Sequence, residues 1–374
     1  MLAERLAGDL EAQREYAAVR REDLAARMAA HGDRAARLGS LLTEELEPRG
    51  KRIRPALLLG AYRVFSGGKT PPPPVQALAH ALETFHAFVL VHDDVIDGSD
   101  RRRDRPTLHR RLEREADLPS AEAGSIAIVL GNILHGHAID TLARAGFPGE
   151  ALAGFLADFA AVTVDTGTGE ALELESLPRP LREVSRAEIE RIYELKTSRY
   201  TVELPLWFGA RAAGAPESVR PALHALAITV GEAFQLENDL HEATLQGEAF
   251  LARAYDFQAG VKTLFLRLLL ERLPPAGREE LEALLAHSPW GREELEHWHR
   301  LLAGSGLVPE LRERIGEQFR QARGAITTDS RLNAAQREGL GALTDYLAAH
   351  RQHSEAPLAP PPAPAVSPGE TPAG

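Results

Sequence analysis

The sequence predicts an all-α fold, and three observations support this prediction. Ala, Leu, Glu and Arg fill long stretches of the chain, which favours helices. Period-two alternation of polar and apolar residues, the pattern of half-buried strands, is almost absent. Gly and Pro clusters separate the remaining stretches, as expected between helices. We therefore expect one large helical domain over residues 1–353 and a Pro- and Ala-rich disordered tail over residues 354–374.

The predicted helices follow one another in order along the chain. Residues 1–47 show an amphipathic pattern that is interrupted near His31 and Gly32. Residues 49–65 form a second stretch, and the prolines at 71–74 make a stiff connector because a proline run cannot continue a helix. A helix is then expected from Val75 toward Asp97. Further helices are predicted over residues 121–144, 148–168, 186–212, 218–245, 257–272 and 306–350.

The composition excludes several classes of function. The chain has 54 Asp and Glu against 43 Lys and Arg, so a general nucleic-acid-binding surface is not expected. The absence of cysteine excludes disulfides, thiolate catalysis and Cys-ligated metal centres. No stretch approaches the roughly 18 uncharged apolar residues of a membrane span, and the first residues lack the apolar core of a signal peptide. We therefore expect a cytosolic protein without a membrane span.

The first motif with chemical meaning is VHDDVID, residues 91–97, at the end of a predicted helix. Asp93 and Asp97 are four residues apart, so their side chains lie on the same helix face. Like charges at this spacing destabilise a helix, and the approach to the motif is apolar. The carboxylates therefore need a cation, and an all-oxygen ligand set favours Mg²⁺ shared with substrate phosphates.

Four arginines follow these carboxylates in the segment DRRRDRPT, residues 100–107. Guanidinium groups bind phosphate oxygens in bidentate fashion. Carboxylates for a metal beside guanidinium groups for phosphate predict a site for a metal–diphosphate complex.

Four further segments concentrate charge at helical spacing. The segment GKRIRP, residues 50–55, opens a helix with a basic patch. Lys196 lies in an otherwise apolar helix, where a buried lysine needs an anionic partner. The segment FQLENDLHE, residues 234–242, repeats the carboxylate spacing of the first motif, and Lys262 is another candidate for binding phosphate.

Together these segments resemble the trans-isoprenyl diphosphate synthases, or polyprenyl synthetases. The resemblance covers roughly residues 45–270, and it is carried by the stretches GKRIRP, ETFHAFVLVHDDVIDGSDRRRDRPTLH, ELKTSRYTVELPLWFGA, FQLENDL and DxxxGxKT. It implies a large bundle of antiparallel helices around a central apolar cavity, usually as a homodimer. The implied substrates are isopentenyl diphosphate and an allylic prenyl diphosphate, with Mg²⁺ as the cofactor, up to about three ions per active site.

The resemblance also implies a role for individual residues. The metal ligands are Asp93, Asp94 and Asp97 in the first motif and Asn238, Asp239 and Glu242 in the second. The groups that contact the allylic diphosphate are Arg102, Lys196 and Lys262. The residues that line the reacting centre are Thr197 and Gln235. The isopentenyl diphosphate pocket comprises Lys51, Arg54, His86 and Arg103. The implied reaction is loss of diphosphate from the allylic substrate, attack by the isopentenyl double bond, and loss of a proton.

Three elements depart from the family pattern, and the first is Asp104, at the position of the glycine that usually follows the arginine pair. The second motif normally has three aspartates, whereas this chain has Asn238 and Glu242 on either side of Asp239, and Asn238 is a weaker Mg²⁺ ligand. A Gly-Gln-x-x-Asp element is replaced by GEALE, residues 169–173, which adds a carboxylate. Two alternatives therefore stay open: a class I terpene cyclase or prenyl-diphosphate lyase on the same scaffold, and a non-catalytic subunit of a heteromeric synthase. The intact isopentenyl diphosphate pocket favours chain elongation.

Product length depends in this family on residues just before the first motif. Phe88 is five positions before Asp93, so it would meet the growing chain about a turn and a half below the metals. A single aromatic residue at this place resembles geranylgeranyl (C20) diphosphate synthases, with C15 as the nearest alternative.

Overall fold

The computed structural model describes residues 2–47, 50–102, 105–247, 249–250, 254, 257, 259–287 and 290–350, and this part of the chain is predominantly helical. The helices, in chain order, are α1 (Leu2–Ala29), α2 (Asp33–Thr43), α3 (Ile53–Phe65), α4 (Pro73–Ile96), α5 (Leu108–Ala116), α6 (Ser120–Ala143), α7 (Gly149–Ser176), α8 (Arg186–Tyr193), α9 (Leu204–Ala212), α10 (Arg220–Ala243), α11 (Leu264–Arg272), α12 (Pro275–Leu285), α13 (Arg292–Ser305), α14 (Leu307–Thr328) and α15 (Ala334–His350). A π-helical segment, Glu194–Glu203, joins α8 to α9, and short 3₁₀ turns cover Glu44–Leu46, Leu181–Glu183 and Glu217–Val219. The all-α prediction is confirmed. The predicted tail lies outside the described residues.

A short hairpin, whose two strands have two residues each, lies between α4 and α5. Strand β1 (Arg101–Arg102) pairs antiparallel with strand β2 (Arg105–Pro106). The loop is closed by Thr107, whose hydroxyl donates to the carbonyl of Ser99 at 2.8 Å. Gly98 adopts a left-handed φ of 64° directly after α4, a conformation that suits glycine. The hairpin therefore folds the arginines back toward the end of α4.

Several helix starts follow from capping residues in the sequence. Pro73 lies in the first turn of α4, where its missing N–H costs nothing. Ser185 and Glu188 form a capping box at α8, in which the Ser185 amide donates to the Glu188 carboxylate at 2.6 Å. At α11, the Thr263 hydroxyl accepts the Leu266 amide at 3.2 Å.

The structure corrects the predicted elements in four places, and the first is the helix predicted over residues 257–272, because α11 begins only at Leu264. Helices α12 and α13 were not predicted, although Pro275 begins the first and Gly291 precedes the second. The helix predicted over residues 306–350 is two helices, because the Asn333 side chain accepts the Gln336 amide at 2.9 Å and starts α15 anew. The helix predicted over residues 148–168 extends to Ser176 as α7.

The apolar core forms two clusters that meet on α4. The larger cluster follows α3, α4, α9 and α10 and includes fully buried Trp207, Phe208 and Phe85. The smaller cluster joins α2, α5 and α6 to the other side of α4 through residues such as Leu42 and Leu112. Because α4 is packed on both sides, its last turn, which carries the first acidic motif, is held in a fixed position.

Buried Asp158 fixes α7 against α9 and α10. Its carboxylate accepts the Trp207 indole N–H at 2.8 Å and pairs with Arg211 at 2.8 Å and Arg220 at 2.9 Å. A buried carboxylate with three donors is fully satisfied, so it contributes to a defined arrangement of these helices.

The π-helical segment lies between two glycines of neighbouring helices. A Cβ atom on Gly169 of α7 would lie 2.7 Å from the Lys196 backbone nitrogen, and one on Gly231 of α10 would lie 2.1 Å from the Ser198 hydroxyl. These close approaches need glycine. The sequence predicted a continuous helix over residues 186–212, and the π register within it is a finding of the structure; such segments are frequent at functional sites.

One helix in the described part of the chain, α6, is long and apolar enough to cross a membrane by length and composition. The expectation that no stretch approaches this composition is therefore wrong for α6. In the most apolar stretch of α6, 44% of the residues are buried inside the protein, and the helix packs along α4.

Candidate active site

The carboxylates of the first motif meet a guanidinium group of the hairpin. Asp93 and Asp94 lie in the last turn of α4, and Asp97 caps the helix. Arg102 donates from Nε to Asp94 Oδ1 at 2.6 Å and from Nη2 to Asp93 Oδ2 at 2.8 Å. The C-terminal end of a helix is itself negative, so carboxylates there need such a cation. The structure thus brings together the two parts of the predicted metal–diphosphate site.

Asp94 is the most buried of these carboxylates. Burial raises the pKa of Asp94 to about 7, although the neighbouring Arg102 acts to lower it. When burial makes a carboxylate costly to ionise, a nearby positive charge stabilises its ionised form. This site therefore favours a cation close to Asp94.

Lys196 lies among three carboxylates. Its ammonium group is 2.5 Å from Glu173 Oε1, 2.8 Å from Glu170 Oε2 and 3.5 Å from Asp93 Oδ1. Burial alone would lower the pKa of Lys196, but the three carboxylates raise it well above its ordinary value, so the side chain is cationic. The prediction that a buried lysine here needs an anionic partner is confirmed, and Glu170 and Glu173 are the residues that the sequence did not assign to it.

The second motif is tied to the π-helical segment by a chain of hydrogen bonds. Thr197 donates to Gln235 Oε1 at 3.2 Å, and Gln235 Nε2 donates to Asp239 Oδ1 at 3.2 Å. The other oxygen of Asp239 accepts the hydroxyl of Tyr193. Asn238 and Glu242 lie half-buried on the same helix. The predicted groups Thr197, Gln235 and Asp239 are therefore contiguous.

Lys262 binds backbone carbonyl groups. Its ammonium donates to the Gly260 carbonyl at 2.5 Å and to the Leu177 carbonyl, just beyond α7, at 3.2 Å. Burial lowers the pKa of Lys262. The structure shows these two carbonyls as its partners, and its contact with diphosphate stays a prediction.

A second set of basic side chains, Arg54 and His86, lies next to the ring of Tyr200. The Arg54 guanidinium lies 4.5 Å from the ring centroid and donates to Thr201 Oγ1 at 2.8 Å. The His86 ring centroid is 6.1 Å from that of Tyr200. Lys51 lies at the surface, partial desolvation of its ammonium group lowers its pKa, and Glu237 acts in the opposite direction. Arg103, the fourth residue predicted for this pocket, lies outside the described residues.

Phe88 belongs to an aromatic cluster between α4, α6 and α7. Its ring centroid is 4.6 Å from His92, 5.0 Å from His135 and 5.6 Å from Phe85. Phe159 of α7 lies next to Phe85 at 5.1 Å. The residue is half-buried one turn before the acidic motif, which is compatible with its predicted place at the floor of a substrate cavity.

Sequence reasoning missed Tyr193 and Tyr200, although a local signal existed for both. They lie three residues before and four residues after Lys196, on either side of the predicted lysine. A phenol at this spacing in a helix that carries a charged group is a candidate partner for its neighbours. Their partners Asp239 and Arg54 are distant in sequence, so only the folded chain identifies the contacts.

The donor set suits a hard divalent cation. Asp93, Asp94 and Asp97 offer only oxygen atoms, which is the ligand type that Mg²⁺ prefers. Among the residues that the structure describes, no group of three or more His, Asp or Glu side chains is arranged to hold a metal ion. Arg102 and Lys196 instead supply the positive charge at Asp93 and Asp94.

Comparison with known proteins identifies the family. Residues 36–302 match the profile described as polyprenyl synthetase. The chain belongs to the polyprenyl synthetase family. It is therefore a prenyltransferase. Its relatives include a geranylfarnesyl diphosphate synthase of Aeropyrum pernix, 25% identical over 83% of this chain and 93% of the relative. A geranylgeranyl pyrophosphate synthase of Geoglobus acetivorans is 28% identical over 81% of this chain and 87% of its own length.

Solved structures show the same fold as this polyprenyl synthetase. A geranylgeranyl pyrophosphate synthase of Corynebacterium glutamicum, crystallised with isoprenyl diphosphate and magnesium, superposes with a TM-score of 0.80. It is 24% identical, and the match covers 91% of this chain and 98% of that one. The predicted isoprenoid synthase-like helical bundle is therefore confirmed.

Proposed function

We propose that the protein condenses an allylic diphosphate with isopentenyl diphosphate, head to tail and in the trans configuration. The observation that carries this proposal is the pair of basic groups along one π-helical segment. Lys196 belongs to the first group, with Arg102, and Tyr200 lies four residues later at the second, with Arg54 and His86. Two diphosphate substrates need two anion sites, and these sites lie about one turn apart.

Each set of side chains has its own role in this proposed reaction. Arg102 and Lys196 bind the leaving diphosphate and stabilise its growing negative charge. Arg54 and His86 orient isopentenyl diphosphate, while Thr197 and Gln235 line the reacting centre. Mg²⁺, held by Asp93, Asp94 and Asp97 and by the second motif, would supply Lewis-acid stabilisation of the diphosphate. The apolar residues before the acidic motif exclude water from the allylic cation.

The product is proposed to be a C15–C20 prenyl diphosphate, mainly geranylgeranyl diphosphate. The aromatic cluster of Phe88, Phe85 and His135 supports this length, because a bulky floor close to the metals limits chain growth. Relatives named as geranylgeranyl synthases in Geoglobus acetivorans and Sulfolobus acidocaldarius agree with it.

The experiment is product analysis of purified protein with Mg²⁺ and dimethylallyl, geranyl, farnesyl or geranylgeranyl diphosphate, each with and without isopentenyl diphosphate. Longer prenyl diphosphates that appear only with isopentenyl diphosphate are expected. Hydrocarbons or alcohols formed without it would instead identify a cyclase or lyase, the alternative that the altered second motif leaves open. No product under any condition would indicate a non-catalytic subunit.

We further propose that two copies of the chain pair through α6 and α7. These neighbouring helices expose large apolar side chains, namely Ile128, Val129, Ile139, Val164 and Leu172. Exposed apolar surface of this kind marks an interaction site, and a second copy of the chain covers it most simply through two-fold symmetry. A cytosolic location also stays a prediction, which cell fractionation would test.

A further inference from the structure

The phenol of Tyr193 lies where three segments of the active site meet. Tyr193 is the last residue of α8 and is 5% exposed. Its hydroxyl donates to Asp239 Oδ2 on α10 and accepts the backbone N–H of Leu264, the first residue of α11, at 2.7 Å. One oxygen atom therefore links three helices.

Each of these segments carries a part of the proposed site. Lys196 and Thr197 follow Tyr193 by three and four residues in the π-helical segment. Asp239 lies in the second acidic motif, and Lys262 precedes Leu264 by two residues. A displacement of the Tyr193 hydroxyl would therefore change the relative positions of groups that must converge on one diphosphate.

The two oxygens of Asp239 are held in different ways. Gln235 binds one of them from the same helix, one turn earlier, so this bond does not fix α10 relative to other elements. Tyr193 binds the other from a different helix. Asp239 is 3% exposed, and a buried carboxylate that loses a donor reorients toward another partner.

The Leu264 contact is equally specific. The first amides of a helix have no partner within the helix, and Thr263 accepts the Leu266 amide in the usual capping position. The Tyr193 hydroxyl accepts the Leu264 amide, which the Thr263 cap does not reach. It thereby holds the start of α11, and with it the Lys262 segment, against α10.

We propose that Tyr193 is a positioning residue, whose hydroxyl aligns the second acidic motif with the Lys262 segment for binding of the magnesium–diphosphate complex. The proposal rests on the proposed function. It assigns to Tyr193 an effect through Asp239 and Leu264, without contact between Tyr193 and the substrate.

The test removes only the hydroxyl. Calorimetric titration of the protein with inorganic pyrophosphate, in the presence of Mg²⁺, is compared between the wild type and Tyr193→Phe. Loss of a residue that orients ligands typically weakens metal binding about 10- to 100-fold, and we expect a loss of that size. Tyr62→Phe, which removes the hydroxyl of another buried tyrosine in α3, should stay within about twofold. Equal affinity of Tyr193→Phe and the wild type would overturn the proposal.

A double-mutant cycle separates positioning from general damage. If Tyr193 acts through Asp239, Tyr193→Phe should cost much less pyrophosphate affinity in an Asp239→Asn background than in the wild type. Additive losses would contradict the proposal. A wild-type protein that does not bind magnesium–pyrophosphate would instead refute the proposed function, so the two failures are distinguishable.

A measurement on the wild type covers the case in which Tyr193→Phe does not fold. Hydrogen exchange over residues 261–266, which include the Leu264 amide, should slow about tenfold or more when Mg²⁺ and pyrophosphate are added, because the ligand restrains the Asp239–Tyr193–Leu264 connection. Exchange that is unchanged by the ligand would overturn the proposal.

Discussion

At the scale of the single residue, Lys196 shows how the free site balances its charge. Its three carboxylate partners come from two helices, and Glu170 stands where the family pattern has an amide. The entering diphosphate therefore competes with these carboxylates for the same ammonium group.

We expect Glu170→Gln to lower the KM for the allylic diphosphate about 3- to 10-fold, because one competing charge at 2.8 Å from Lys196 is removed. Steady-state kinetics at saturating isopentenyl diphosphate measures this. Glu175→Gln, on the same helix but paired with Arg179, is the matched control and should leave the KM unchanged. A higher KM in Glu170→Gln would mean that Glu170 assists binding.

Asp94 gives the metal-free protein a predictable pH dependence. Burial raises the pKa of Asp94 to about 7 from its usual 3.8, so the folded protein holds this proton more tightly than the unfolded chain. The contribution of Asp94 to stability is therefore most favourable below about pH 4 and declines as the pH rises to about 7.

In denaturant unfolding with a chelator, Asp94→Asn should gain stability relative to the wild type between pH 5 and pH 8. The relative gain should reach at most about 3 kcal/mol, since each pKa unit corresponds to about 1.4 kcal/mol. Asp100→Asn, which alters an exposed carboxylate paired with Arg110, should show no such trend. A difference between wild type and Asp94→Asn that does not change with pH would contradict the argument.

Phe88 allows a test of product length. Phe88→Ala should lengthen the main product by at least one isoprene unit, because it removes a ring from the aromatic cluster before Asp93. Chromatography of the products after phosphatase treatment measures this. Phe147→Ala is the control, since that half-buried ring packs on Phe155 in another part of the core. An unchanged product distribution would show that Phe88 does not form the floor of the substrate cavity.

Residue types and spacing predicted the charged part of the site. Asp93, Asp94 and Arg102 meet because the acidic and arginine motifs are close in sequence, and the hairpin that carries Arg102 begins a few residues after α4. Thr197 and Gln235 were assigned to the reacting centre by resemblance; the structure shows that they are hydrogen-bonded to each other, and their role stays a prediction. Glu170 and Glu173 were noted as unusual, but their contact with Lys196 depends on the packing of α7 against the π-helical segment, which a sequence pattern does not specify.

At the scale of the element, the close packing of α7 on the π-helical segment depends on Gly169. The Lys196 backbone nitrogen would lie 2.7 Å from a Cβ atom at this position, so a larger residue must push the two elements apart. Lys196 and Thr197 would move with the segment.

Gly169→Ala should lower kcat at least about tenfold and destabilise the protein by about 1–3 kcal/mol, as overpacking does. Gly167 lies two residues earlier in the same helix with no atom within 4 Å of its Cβ position, so Gly167→Ala is the matched control. The control should be neutral or slightly stabilising, since alanine favours helices over glycine. Turnover assays and thermal unfolding measure both variants. Equal behaviour of the two variants would show that the segment tolerates displacement.

The sequence located most helices but not their irregularities. Starts such as Pro73 and Ser185 are local signals, and the helices they begin were predicted. The π register of Glu194–Glu203 was not, because α- and π-helices use the same residue types and differ here through contacts from Gly169 and Gly231. The break before α15 was missed although Asn333 and Gln336 form a capping pair.

At the scale of the whole molecule, the proposed pairing of two copies depends on the exposed apolar side chains of α6 and α7. Val129 is 58% exposed in a helix whose other side is packed against α4. A charge placed there would be desolvated in a dimer interface and harmless in a monomer.

We expect Val129→Glu to convert a dimer into a monomer, as measured by light scattering after gel filtration, with no loss of helical content by circular dichroism. Ala303→Glu, an exposed position on α13, is the control and should stay dimeric. A wild-type protein that is monomeric at micromolar concentration would refute the proposed pairing. A dimeric Val129→Glu would place the interface elsewhere.

In the ligand-free site, Arg102 and Lys196 are paired with acidic residues, and binding of a diphosphate would replace these partners. Arg102 and Lys196 already pair with Asp93, Asp94, Glu170 and Glu173, so the protein itself balances part of the negative charge of the empty site. A bound magnesium diphosphate would place its cations near the carboxylates, and its phosphate oxygens would pair with the guanidinium and ammonium groups. Because Arg102 and Lys196 supply this part of the countercharge without a metal, purification in chelating buffers should leave an intact enzyme that binds Mg²⁺ again.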